Sequence, residues 1–195
     1  MKCAAVICAA GAGSRMGQNK ALCHIGSETF LSSIVRTLKN VTTKIDPIVV
    51  VTGAQDELVR LQHAALPVVW AHNALWQTTH MLESLACGLS LVPDDCDVIH
   101  WPVDCIGISS PDLARLLDLP EGQTGVIGVN GKPGHPVKFS ADQMRELRQK
   151  THGYQSLKDV FLSRSYTVID ASGPVMMNCN DPRALSDFVA RMGKM

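Results

Sequence analysis

The chain has few aromatic residues: Phe, Trp and Tyr make up 5% of its 195 residues. Apolar residues still reach 46%, so a core built from them is aliphatic and rich in alanine. A surplus of either charge is missing as well. Eighteen basic residues balance 18 acidic ones, which leaves no whole-molecule field to draw nucleic acid or an anionic membrane, and any anion site must be local. No apolar run approaches the roughly eighteen residues that a membrane-crossing helix needs. A signal-peptide cleavage pattern is missing from the first residues, and the expectation is a cytoplasmic protein. The cysteines, at positions 3, 8, 23, 87, 96, 105 and 179, form no CxxC pair. They read as reduced thiols rather than as a disulfide framework or a zinc knuckle. Repeats, low-complexity segments and linkers are absent too, so residues 1–195 read as one domain of ordinary size.

What is present is organised around one stretch, Cys8-Ala9-Ala10-Gly11-Ala12-Gly13-Ser14-Arg15-Met16-Gly17-Gln18-Asn19-Lys20. It follows an apolar run that reads as a buried first strand, about Cys3 to Ala9. Glycines let backbone N–H groups close around an anion because no Cβ stands in the way. Arg15 and Lys20 place fixed positive charge beside that cradle and can meet phosphate oxygens by charge-assisted hydrogen bonds. A polyphosphate is the guest these residues suit.

The rest of the chain alternates. Helical spacing covers Thr29 to Leu38, Gln55 to Ala65, Thr78 to Leu91, Ala141 to Lys150 and Ser156 to Leu162, with helix starts at Ser110-Pro111-Asp112 and Asp181-Pro182. Short extended runs cover Ile48 to Val51, Pro67 to Trp70, Cys96 to Trp101, Thr124 to Val129, Val137 to Phe139, Thr167 to Ile169 and Val175 to Met177. Asn130 to Pro136 reads as a rigid, turn-rich loop. Regular alternation predicts an α/β fold: a three-layer, Rossmann-like, mostly parallel sheet with helices on both faces.

The glycine spacing Gly11-x-Gly13-x-x-x-Gly17 is not the dinucleotide fingerprint, and Thr52-Gly53, not an acid, ends the second strand. The Gly-Lys-Ser/Thr of a Walker A loop is absent. Instead, Ala9 to Leu22 resembles the signature of the MobA-like nucleotidyltransferases, and most closely its molybdenum cofactor cytidylyltransferase branch. That resemblance implies a sheet of the nucleotide-diphospho-sugar transferase type. It also implies transfer of a nucleoside monophosphate from an NTP to a phosphorylated acceptor, with release of pyrophosphate and use of Mg2+.

Several positions carry the resemblance further. Arg15 and Lys20 match the catalytic cations, and Ala9, Ala10, Gly11, Ala12, Gly13 and Ser14 the nucleotide-binding loop. Asp104, at the end of the fourth strand, matches a metal ligand; a lone carboxylate with phosphate oxygens suits Mg2+. The second ligand position falls on Asn180, a neutral amide, in Asn178-Cys179-Asn180-Asp181-Pro182. Ser84, in Ser84-Leu85-Ala86-Cys87-Gly88-Leu89, matches a serine that helps hold the base. Asn73, Trp76 and His135, the last in Gly134-His135-Pro136, match acceptor-side positions. Where the family reads Asp-x-Pro and carries glycines before the serine, this chain has Asp104-Cys105-Ile106 and Thr79-His80-Met81-Leu82. The Ala9-Ala10-Gly11 opening resembles members that use CTP. Rival readings are a sugar- or alcohol-phosphate nucleotidyltransferase and a non-catalytic nucleotide-binding module. The remaining histidines, 24, 63, 72, 80, 100 and 152, show no ligand spacing.

Overall fold

The computed structural model describes residues 2–42, 44–149 and 153–192. Its centre is β1 (Cys3–Ala9), whose side chains are buried on both faces. Cys3, Ala5 and Ile7 point to one layer and Ala4, Val6 and Cys8 to the other, the two-residue period of a strand. Around it lie β4 (Ile45–Thr52), β5 (Val69–His72), β6 (Asp97–Pro102), β7 (Thr124–Val129), β8 (Lys132–Phe139) and β9 (Tyr166–Asp170), in the order β5-β4-β1-β6-β8-β7-β9. Strand β8 runs antiparallel to both of its neighbours, and the other pairings are parallel. A small hairpin, β2 (His24–Ile25) with β3 (Glu28–Thr29), lies apart.

Helices cover both faces. On one side α1 (Phe30–Lys39), α2 (Asp56–Gln62), α4 (Ser110–Leu117) and α7 (Pro182–Met192) pack on the layer that holds Ile7, Ile99 and Trp101. On the other, α3 (Met81–Leu89), α5 (Ala141–Gln149) and α6 (Leu157–Leu162) pack on Val6, Val98 and Phe139. Helix α3 comes very close: a Cβ at Gly88 would stand 2.5 Å from Val6 Cγ1, so only glycine fits. Among the described residues no helix is long and apolar enough to cross a membrane.

Three expectations shift. The segment 130–136 is not a loop: the turn is confined to Asn130 and Gly131, both at positive φ, and β8 follows at once. Asn-Gly between paired strands is the two-residue hairpin turn that matches strand twist. Residues 175–177 form no strand; Met176 makes a single antiparallel bridge to Ile106. The third helix begins at Met81 rather than Thr78, because Thr78 and Thr79 spend their groups on the carbonyl of Leu75. Lys150, the expected end of α5, and His152 lie outside the described residues.

Candidate active site

The loop after β1 is a tight double turn. Gly13 sits at φ +66°, and a Cβ there would stand 2.0 Å from the Gln18 carbonyl oxygen. Residues Ser14–Met16 make one 3-10 turn and Lys20–Leu22 another. Between them Asn19 is fully buried: its side-chain amide donates to the Ala54 carbonyl at 2.9 Å and its Oδ1 accepts from the Ala21 amide at 3.0 Å. Sequence reasoning passed over Asn19. Its signal is a polar residue next to Lys20 at a helix start, and its effect is to fix the base of the lysine.

On the far side of the cleft, Asp104 follows β6. The Val103 amide donates to the Cys8 carbonyl at 3.1 Å, tying this corner to β1. The late segment is fastened to the same corner: Ile106 and Met176 exchange two backbone hydrogen bonds of 3.0 Å, and the Cys179 amide donates to the Asp104 carbonyl at 2.9 Å. That places Asn180 beside Asp104 although they are 76 positions apart in the chain. Lys20 Nζ then meets both, at 2.7 Å from Asp104 Oδ2 and 2.5 Å from Asn180 Oδ1. Arg15 donates to the same Asn180 oxygen at 3.2 Å.

The hollow so formed has a volume of about 170 Å³, and Gly11, Gly13, Arg15, Lys20, Asp104 and Asn180 line it. Ala9 and Ser14 line it too, whereas Ala10 and Ala12 do not. Ala10 instead accepts from the Ala54 amide at 2.9 Å, bracing the loop against the end of β4. The hollow opens beyond the carboxyl ends of β1 and β6, the edge at which open α/β sheets bind ligands. Two hard oxygen donors, one of them charged, converge on a single point already held by a cation. Among the described residues no group of three or more His, Cys, Asp or Glu could hold a metal ion. Such a donor set suits an ion that fills most of its shell with water and phosphate oxygens, as Mg2+ does.

A family model described as the MobA-like NTP transferase domain matches residues 5–168. The chain belongs to the MobA-like NTP transferase family. Solved structures agree in fold. A nucleotidyl transferase from Methanothermobacter thermautotroptrophicus, Mth528, is 19% identical, with 97% of this chain and 99% of that one covered and a TM-score of 0.77. Rv0371c of Mycobacterium tuberculosis, in complex with manganese, is 17% identical over 97% and 99% of the two chains, with a TM-score of 0.76. The CTP:phosphocholine cytidylyltransferase LicC of Streptococcus pneumoniae is 14% identical over 98% and 100%, with a TM-score of 0.74. At these identities the likeness is one of fold. No curated protein sequence matches the chain.

Other positions singled out by the family signature lie elsewhere. Asn73 and Ser84 are both buried and bond each other, Asn73 Nδ2 to Ser84 Oγ at 3.1 Å. Asn73 also donates to Thr79 Oγ1 at 2.9 Å and accepts from the Leu75 amide, so its polar groups hold the 73–79 loop. Trp76 packs on Gly53, so close that a Cβ there would stand 2.6 Å from both Trp76 Cβ and the Ala10 carbonyl oxygen. His135 is on β8. Between β4, where Trp76 rests, and β8 lie β1 and β6, so three strand spacings, roughly 14 Å, separate them. The structure therefore does not bring Asn73 and Trp76 together with His135.

The His135 ring is mostly buried, edge-on to His100 with centroids 5.6 Å apart. Burial holds its imidazole below the ordinary 6.5, with the Asp104 charge pulling the other way. The ring is therefore neutral near pH 7. It offers a hydrogen bond rather than the positive charge that an anionic guest would prefer. Cys105, beside Asp104, is no nucleophile: burial drives its thiol far up, and its sulfur donates to the His135 carbonyl at 3.4 Å.

Proposed function

We propose that this chain, as one nucleotidyltransferase domain, transfers CMP from CTP to a phosphorylated small-molecule acceptor of the molybdenum-cofactor kind, releasing pyrophosphate. The observation that carries the reading is the meeting of Lys20 with Asp104 and Asn180 beside a glycine loop that also bears Arg15. In the reaction, an acceptor phosphate oxygen attacks the α-phosphorus of the NTP. A new P–O bond forms, the bond from the α-phosphorus to the bridging oxygen breaks, and pyrophosphate leaves with its electron pair. No protein nucleophile takes part. Backbone N–H groups from Gly11 to Arg15 seat the phosphates, and Lys20 and Arg15 offset the charge that gathers on the leaving group. Asp104 and Asn180 are the residues that would hold Mg2+, which supplies further positive charge at the phosphates when bound. The Ala9-Ala10-Gly11 opening supports CTP as donor. Ser84, buried and bonded to Asn73, supports the wall of a base site through that loop. His135, Asn73 and Trp76 are the acceptor-side residues of this reading, spread along the carboxyl edge of the sheet from β8 to β4. Seven free thiols support a reducing, cytoplasmic setting.

One observation favours a second reading. With Asn180 neutral, the site carries one carboxylate, and nucleotide binding without turnover is the alternative. A thermal-shift screen of the four NTPs, with and without Mg2+, joined to a pyrophosphate-release assay across a panel of phosphorylated acceptors that includes molybdopterin, separates the two. Stabilisation by CTP with Mg2+ and release of pyrophosphate support the enzyme reading; binding without release supports the alternative, and no NTP effect at all removes both.

A further inference from the structure

Strand β6 buries a histidine among aliphatic side chains. His100 lies level with Val6 of β1 and Val137 of β8, both sealed from solvent. It is itself fully buried, and neither Nδ1 nor Nε2 has a hydrogen-bond partner among the described residues. A buried polar atom left so costs about 1–3 kcal/mol. A third such atom lies beside it. His135 stands two residues before Val137 and so shares its face of β8, and its Nδ1 is buried and unpartnered too. The two rings meet edge-on, with planes at 71° and centroids 5.6 Å apart. An N–H···N bond of about 3 Å between two imidazoles needs centres roughly 5 Å apart, so a small ring rotation closes it. The angle between the planes does not oppose the bond, because the N–H and the accepting lone pair each lie in their own ring plane.

His135 also reaches the site. It lines a second, mainly apolar hollow of about 490 Å³ that shares Met81 with the first, and the Asp104 charge acts on its ring. The Cys105 thiol pins its backbone carbonyl at 3.4 Å, which leaves the ring as the part to be oriented. With Nδ1 turned into the protein, Nε2 is the nitrogen left to face the hollow. A neutral imidazole carries one proton, and the bond that one nitrogen makes decides which of the two holds it.

We propose that His100 is a positioning residue: its ring N–H donates to His135 Nδ1 and so holds His135 in the tautomer whose Nε2–H points to the acceptor side of the cleft. The inference rests on the nucleotidyltransferase reading, in which His135 is an acceptor-side residue. The opposite tautomer would turn a lone pair toward an arriving phosphate oxygen, and two acceptors repel. With His100 in place the outer face of the His135 ring is a donor only. His100 lines neither hollow and acts through His135.

The test uses the full chain with nitrogen-15 in its histidines. Two-bond nitrogen–proton correlation at pH 7.5 reads the tautomer of each neutral ring, and His135→Gln identifies the His135 signals. The expected result is a single His135 tautomer, protonated at Nε2, in the native chain, and a mixture of both in His100→Phe, which keeps a ring but no nitrogen. Pyrophosphate release is followed alongside with CTP, Mg2+ and molybdopterin. His100→Phe should raise the acceptor KM about five-fold, the effect of one neutral hydrogen bond, with kcat and the CTP KM unchanged. One of His100→Asn and His100→Gln, whose amides reach where Nδ1 and Nε2 stand, should restore it. A native His135 that is protonated at Nδ1, or mixed, overturns the proposal whether or not any variant folds. So does a native tautomer in His100→Phe, or an acceptor KM that stays unchanged when the tautomer is lost. Absence of turnover by the native chain overturns the nucleotidyltransferase reading and the acceptor role of the pair, while the native spectrum still decides the bond between the two rings.

Discussion

Strand β6 carries an aspartate at its start and another just past its end, and each is paired with a lysine. At the start, Lys138 and Asp97 are 3.3 Å apart, with 0% and 3% of their side chains exposed. Lys138 also donates to the carbonyls of Leu119 and Pro120, and the Ala141 amide donates to Asp97. At the other end, Lys20 and Asp104 are 2.7 Å apart, with 18% and 16% exposed, and the lysine's further partner is a side-chain amide in an open hollow. The same pair of residue types thus does two different jobs. Locked in the dry interior by backbone groups, it joins β6, β8 and the chain before β7. Left at the rim of a hollow, it stays partly open to solvent.

The comparison can be broken from its dry end first. Lys138→Met leaves Asp97 buried without its countercharge and should lower stability by about 3–5 kcal/mol in urea unfolding. A loss below about 1 kcal/mol would mean that the two ends are alike. At the open end, Lys20→Ala should cut the rate of pyrophosphate release by roughly 10²–10³-fold while its unfolding midpoint stays within a few degrees of the native one. Near-normal turnover would remove Lys20 from the mechanism.

Between the two aspartates lies His100, fully buried in the middle of β6, with burial holding its imidazole well below 6.5. Burial lowers His63 and His135 in the same direction. For a base whose folded value is depressed, both states are neutral above pH 6.5. Below it the unfolded chain takes up a proton that the folded chain refuses. Stability should therefore fall as the pH drops from 6.5, by up to about 1.4 kcal/mol per pH unit for each such histidine. Urea unfolding of the native chain and of His100→Leu from pH 7.5 to 5 checks this, and the variant should lose the share that His100 contributes. The smallest effect sharpens the contrast at the open end. Asn180→Asp adds a second carboxylate, and the Mg2+ concentration for half-maximal turnover should fall about five-fold, the equivalent of roughly 1 kcal/mol for one more close charge pair in water. An unchanged requirement would separate Asn180 from the metal.

Much of this was legible in the chain. Alternating apolar runs announce the strands and helices because burial has a period. The loop from Gly11 to Lys20 announces a tight turn that carries two cations because its glycines and basic residues fall within ten positions. The hairpin turn was there to be read in Asn130-Gly131, but the prolines at 133 and 136 hid the strand behind it. Asn19 was obscured because a buried amide that braces a turn looks, in sequence, like any loop asparagine. The places of Asn73, Trp76 and His135 along the sheet edge were not legible, because a shared family signature carries no distance. Sheet order alone shows that β1 and β6 stand between them.

By itself the sequence determined the layered α/β plan, the cradle after β1 and the two cations within it, since each depends on neighbours within about ten positions. Only the tertiary structure decided that Asn180 reaches Lys20, that one of two Lys–Asp pairs is sealed and the other open, and that an apolar groove continues from the cleft. Those relations join residues far apart in the chain, and they are fixed by strand order and by backbone hydrogen bonds such as Cys179 to Asp104, which leave no local pattern in the order of the residues.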